Sequence, residues 1–338
     1  MILPVLAEVV RSGYVEGTHT GSVVALRADG SVALASGDLE RPVFPRSSNK
    51  PLQAVALLEA GWSPRDSREL ALAAASHSGE PEHLEVVRRM LGEPGILGEP
   101  GRPSEPGRPG EPARPGEPAR PGVGALGCPA MLPLSEAAAH ALLASGGVAT
   151  PLTMNCSGKH AAMLATCVAR GWSLADYLDP DHPVQVAIAA GLERLAAERV
   201  RHIAVDGCGA PQHALTLPGL ARAFARLASA VDGPERRVAD AMREHPFLVG
   251  GTGRDVTALL SGVPGLVAKD GAEGVYAVGL PDGAAVALKI EDGAARARTP
   301  VLVAALRALG VDAPVLRELA TVPVLGGGAV VGQVRVCA

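Results

Sequence analysis

The chain lacks a basic leader followed by an apolar run and a small-residue cleavage site, and nowhere do about 18 uncharged apolar residues stand together. A soluble, cytoplasmic protein is expected. It also lacks a basic stripe. With a formal charge of -4, nothing supplies the phosphate neutralisation that nucleic-acid binding needs, so neither nucleic acid nor membrane is an expected partner. Its 5 cysteines are an odd count in a chain of 338 residues, too long for a disulfide scaffold. They read as reduced thiols or ligands. A chain of this length buries a full core without help.

Lysine and asparagine are scarce in a way that points as well as excludes. Of 31 Lys and Arg residues, only Lys50, Lys159, Lys269 and Lys289 are lysines, amid abundant Ala, Gly and Pro. That bias fits a GC-rich coding sequence in which a solvated positive charge drifts to Arg. A retained lysine then marks chemistry that Arg cannot do, since a desolvated amine can lose its proton and a guanidinium cannot. The two asparagines, Asn49 and Asn155, lie close to Lys50 and Lys159. Lys289 in ALKIEDG reads equally well as an ordinary surface charge.

Residues 5–11, 22–28 and 32–36 are β-rich runs parted by Gly and Asp-Gly signals, which predicts an N-terminal antiparallel meander. A helix follows over about 47–60, and helical spacing recurs at 66–75, 80–91, 134–145, 159–171, 183–199, 215–231 and 234–244. After Pro264 strands return at 265–268, 274–279 and 284–290, then a helix near 300–309 and a last strand near 329–336. The predicted class is α/β of the α+β type. One domain, 1–338, holds an antiparallel sheet from the N- and C-terminal strands (about 1–46 and 264–338) and a helical middle lobe (about 47–263). Residues 92–122, with near-repeats of GEPGRP and GEPARP, carry too much Pro and Gly for helix or strand. A disordered, low-complexity surface insertion is expected there.

Several polar clusters interrupt these elements. PRSSNKPLQ contains Ser47-x-x-Lys50, and if Ser47 opens a helix the amine lies one turn on, on the same face. Leu52, Val55, Ala56 and Leu58 bury that helix, and desolvation favours a neutral amine, a base. The helix start adds backbone donors where an oxyanion would form. The same pattern occurs in serine β-lactamases and penicillin-binding proteins. The plainer reading is a capping serine and a solvated lysine. AASHSGEPEH offers Ser76 or Ser78 as a proton-relaying hydroxyl, or as the cap of the next helix. TMNCSGKHAAML and VDGCGAPQH bring Cys156, Lys159, His160, Asp206 and Cys208, which suit a soft ion such as zinc or, without a C-x-x-C pair, buried free thiols. GGTGRDV and AKDGAEGVYAVG bring Arg254, Asp255 and Lys269, the last a cation suited to a substrate carboxylate.

Taken in order, EVVRSGYVEGTHTGSVV, RSSNKPLQ, ASHSGE, NCSGKH, DGCGAP, VGGTGR and KDGAEGVYAVG resemble the Ser/Lys-type L-asparaginase II family of bacteria and plants, over nearly the whole chain outside 92–122. The resemblance implies a fold like that of serine β-lactamases and serine-dependent glutaminases. It implies two tandems, Ser47 with Lys50 and Ser76 with Lys269, and one zinc ion held by Cys156, Lys159 and Cys208, with no organic cofactor. It implies a bacterial homodimer that hydrolyses the small molecule L-asparagine to aspartate and ammonia, with Lys159, His160, Asp206 and Arg254 holding the amino acid. The alternatives are a glutaminase, a β-lactam-recognising amidase, or a non-catalytic metal-binding protein. Around Cys128, GCPAMLP lacks the Gly and His that the family shows, so no substrate role carries over to residues 123–133.

Overall fold

The computed structural model describes residues 2–92 and 121–337. Strand β1 (Val5–Arg11) turns through Ser12 and Gly13 into β2 (Tyr14–Leu26). Both turn residues have positive φ, 48° and 83°, the geometry whose twist matches that of paired strands. β2 starts earlier than its β-rich run, because Tyr14–Thr20 pair with β1 along an edge that alternates exposed and half-buried. A solvated face of this kind carries Glu, Thr and His, and its apolar signal is weak.

Next come β3 (Val32–Ser36), a 3-10 turn at Arg46–Asn49, and helices α1 (Lys50–Glu59), α2 (Ser67–Ala73), α3 (Pro81–Leu91), α4 (Glu136–Ala144), α5 (Ser157–Arg170) and α6 (Pro183–Ala196). A small hairpin, β4 (Ile203–Val205) and β5 (Pro211–His213), precedes α7 (Leu217–Ser229), α8 (Gly233–Glu244), α9 (Pro246–Val249) and α10 (Asp255–Gly262). The chain ends with β6 (Val267–Asp270), β7 (Val275–Gly279), β8 (Ala285–Ile290), α11 (Ala295–Ala308), α12 (Pro314–Leu319), β9 (Val322–Gly326) and β10 (Ala329–Val336). The hairpin β4–β5 and the elements α9, α10, α12 and β9 did not stand out in the sequence, being short.

Among the described residues the main sheet runs β6-β7-β8-β2-β1-β10-β9, with β3 also on β2, and every pairing is antiparallel. The two ends of the chain therefore build one sheet, as expected. β6, β7 and β8 are buried along nearly their whole length. α7 covers them with Leu220, Phe224 and Leu227, and α11 packs on β8 and β2 with Val301, Leu302 and Leu306. Burial on both faces explains why these strands read as continuous apolar runs. α1 is buried from Lys50 to Leu58 among α5, α6 and α8, and the 3-10 turn that precedes it packs against β6. Residues 93–120, the bulk of the proposed insertion, lie outside the described residues. No helix of the described residues is long and apolar enough to cross a membrane.

Candidate active site

Ser47 sits in the 3-10 turn that leads into α1. Arg46 before it holds φ at +53°, a left-handed conformation that costs a side-chain-bearing residue about 1 kcal/mol or more. The turn is held in place by Ser48, whose backbone N–H and hydroxyl both donate to the Pro45 carbonyl, at 3.1 and 2.6 Å. Gly271 packs against the same carbonyl, so closely that a Cβ there would lie 2.4 Å from it. Ser47 is half-buried, and its hydroxyl has no hydrogen-bond partner among the described residues.

Lys50 opens α1 and is 1 % exposed. Its amine donates to the Ala75 carbonyl at 2.7 Å, the Ser76 hydroxyl at 3.0 Å and the Asn155 carbonyl at 3.3 Å. Lys50 is therefore bonded to Ser76, and no hydrogen bond joins it to Ser47. Ser78, the other serine of this motif, donates to the Gly250 carbonyl at 2.8 Å. Neither serine caps α3. Glu80 does, its backbone N–H bonded to His83 Nδ1 at 3.2 Å. His77 fixes the Ser76–Gly79 turn, because Nδ1 accepts from the Gly79 N–H at 3.2 Å and Nε2 meets Ser157 Oγ at 2.9 Å. Burial, with His83 and Lys50 adding to it, holds His77 neutral, well below the ordinary imidazole range.

Lys159 and His160 stand in the first turn of α5, and Cys156 caps it. Lys159 is 2 % exposed and its amine lies 3.0 Å from Cys208 Sγ. Burial opposes its charge, but Cys208, Cys156 and Asp206 outweigh burial and raise it above the ordinary amine range, an ammonium. The mutual influence of Cys156 and Cys208, the largest on both, raises the Cys156 thiol and lowers Cys208, with Lys159 and His160 adding to the second effect. His160 Nδ1 meets the Tyr177 hydroxyl at 2.7 Å, and its Nε2 lies beside Cys208 with no well-formed hydrogen bond. Burial pushes the Cys128 thiol up to about 11, and its sulfur donates to the Pro151 carbonyl at 3.3 Å.

The β4–β5 turn carries Asp206, which lies 3.5 Å from Cys208 Sγ and accepts from Arg46 Nε at 2.8 Å. Arg46 is a residue that the motif reading passed over. Its neighbour Ser47 was the only signal. Lys269, at the end of β6, is fully buried and donates to the carbonyl and the carboxylate of Asp270. Arg254 at the start of α10 donates to the other oxygen of that carboxylate, at 2.6 Å. No hydrogen bond joins Lys269 to Ser76 among the described residues. Lys50 and Lys269 are near enough to repel one another.

The donors Cys156, Cys208 and Lys159 fit a soft ion in kind: two adjacent sulfurs and an amine whose extra proton an ion would displace. Among the described residues no three His, Cys, Asp or Glu side chains are disposed to hold a metal ion, so Lys159 would have to be the third ligand.

Lys50 thus stands three residues beyond a half-buried serine on a strained turn, and Lys269 lies on the strand that packs against that turn. A family model described as L-asparaginase II matches residues 7–99 and 119–336, and the chain belongs to that family. A comparison with curated proteins returned no match. Among solved structures, Mglu in its native form shares 15% identity at a TM-score of 0.43, over 85% of this chain and 62% of that one. Mglu in its tris and glutamate form shares 14% at a TM-score of 0.35, over 92% and 64%. The chain thus spans less than two thirds of the length of either.

Proposed function

We propose that the protein is an L-asparaginase that works through an acyl-enzyme on Ser47. The observation that carries this reading is the placement of Lys50, buried one turn beyond Ser47 and 3.0 Å from Ser76 Oγ. Ser47 attacks the side-chain amide of L-asparagine, and Lys50 receives its proton. Ser76 passes that proton to the leaving ammonia, with Lys269 as the second amine of the site. Water then hydrolyses the aspartyl ester, regenerating Ser47. In ligand-free structures such hydrogen bonds are often unformed, so the unbonded Ser47 hydroxyl is compatible with this role.

Arg46 and Asp206, paired beside Ser47, match the α-carboxylate and α-ammonium of an amino acid, and Lys159 is joined to Asp206 through Cys208. A zinc ion held by Cys156, Lys159 and Cys208 would supply a fixed positive charge near that end of the substrate. The rest of the chemistry belongs to the serines and lysines. The test is ammonia release by the purified protein from L-asparagine beside L-glutamine. Release from asparagine at the higher kcat/KM supports the reading, preference for glutamine replaces it with a glutaminase, and release from neither refutes it.

A further inference from the structure

We propose that Asp270 is a positioning residue that sets the charge state of Lys269, and that Arg254 and Arg298 govern how strongly it does so. The clause about catalysis rests on the amidohydrolase reading above; the electrostatic claim does not.

The side chains form one buried circuit drawn from three elements. Lys269 and Asp270 are consecutive at the end of β6, and both are buried. Successive side chains on a strand point to opposite faces, so Lys269 and its neighbour's carboxylate meet only because the strand ends here. Lys269 Nζ also donates to the Asp270 carbonyl at 2.8 Å, which orients the amine. Asp270 divides its two oxygens. Oδ1 takes Lys269, while Oδ2 takes Arg254 Nη2 at 2.6 Å and lies 3.8 Å from Arg298 Nη1. Arg298, from α11, is in turn fixed by Asp255 Oδ2 at 2.9 Å and the Gly271 carbonyl at 3.0 Å, with its guanidinium 5.0 Å above the Tyr276 ring.

One carboxylate thus serves three cations, and each arginine that draws on it leaves less for the lysine. The charged and titratable groups facing this circuit are Lys50 from α1, Arg254 and Asp255 from α10, Tyr276 from β7 and Arg298 from α11. Burial pushes the Lys269 amine down to about 8, Lys50 and Arg254 push the same way, and Asp270 opposes them. Asp270 itself is held well below the carboxylate range: burial works against its charge, and Lys269, Arg254 and Arg298 prevail. An amine poised near neutrality is what proton transfer to and from an amide nitrogen requires.

The sign of each perturbation follows. Arg254→Gln removes a repelling cation and frees Asp270 for Lys269, so the lysine holds its proton to higher pH. Asp270→Asn removes the attraction and leaves burial and Lys50 unopposed, so the lysine loses its proton at lower pH. A residue that merely supported the fold would not produce opposite shifts.

With only 4 lysines in the chain, 13Cε-lysine labelling yields few enough resonances to follow singly by NMR, and the one lost in Lys269→Arg is identified. The expected result is a Lys269 midpoint displaced upward by on the order of 1 pH unit in Arg254→Gln and downward by a similar amount in Asp270→Asn. A midpoint that stays put in Arg254→Gln, or moves the other way, overturns the proposal. Arg254 is the more exposed partner, so its variant keeps the test available should Asp270→Asn fail to fold. The acid limb of kcat/KM for asparagine should move with the NMR midpoint, and a limb that stays while the midpoint moves overturns the link to catalysis. If the wild type releases no ammonia from asparagine or glutamine, the amidohydrolase reading fails, while the NMR shifts still decide the electrostatic claim.

Discussion

Gly271 supplies a perturbation that separates the placement of Ser47 from the stability of the fold. Its φ is not positive, so alanine is free to adopt the backbone conformation, and the effect of Gly271→Ala comes from the new methyl group alone. That methyl would lie 2.4 Å from the Pro45 carbonyl oxygen, 3.2 Å from Val275 Cβ and 3.3 Å from Ser48 N. Relief requires the carbonyl to retreat by roughly 1 Å, since ordinary carbon contacts begin near ~3.5 Å. The Pro45 carbonyl carries both hydrogen bonds of Ser48, so the turn that presents Ser47 moves with it. A misplacement of about 1 Å costs on the order of 100-fold in rate, or ~2.7 kcal/mol of barrier. Overpacking of this kind destabilises by roughly 1–3 kcal/mol, a fall in Tm of several degrees for a chain of this size. The assay is kcat for ammonia release together with Tm by calorimetry, with Gly17→Ala as control because no atom lies within 4 Å of a Cβ there. A Gly271→Ala enzyme with kcat within about threefold of wild type and a lowered Tm would show that the turn does not answer to this contact.

Ser47→Ala and Lys50→Arg should each lower kcat/KM by roughly 1,000-fold or more, because the first removes the nucleophile and the second leaves a cation that cannot shed its proton. Circular dichroism should show an unchanged fold for Ser47→Ala, and turnover near wild type in either variant would refute the acyl-enzyme. Arg46→Gln breaks the 2.8 Å pair with Asp206 and should raise KM for asparagine by about tenfold with a smaller change in kcat; an unchanged KM would exclude Arg46 from substrate binding. Metal analysis should find about one zinc per wild-type chain and none in Cys156→Ala/Cys208→Ala, with occupancy falling at low pH because the ligands must lose protons. Equal, near-zero zinc in both would reject the metal site.

Much of this was readable in the chain itself. Scarcity of lysine marked Lys50, Lys159 and Lys269, and these three are 1 %, 2 % and 0 % exposed. Only Lys289 remains half-buried, near the end of β8, its amine on the carbonyls of Ile290 and Glu291. Local periodicity located the long helices and the buried strands because each presents a continuous apolar face or run. Short elements escaped it. So did the first half of β2, where a solvated edge leaves no alternation strong enough to read.

The pairings inside the site were decided by tertiary structure alone. Lys50 reaches Ser76, 26 residues on, through the packing of α1 beside the end of α2, although the sequence pattern joined it to Ser47. Arg46 meets Asp206 across 160 residues because the β4–β5 turn closes over the strained turn before α1. Arg254, which the sequence offered for holding the amino acid, has its guanidinium on Asp270. A sequence states which groups are costly to bury and so where a site must be. Which of those groups neutralises which depends on distances between elements far apart in the chain, and those are set only when the helices pack against the sheet.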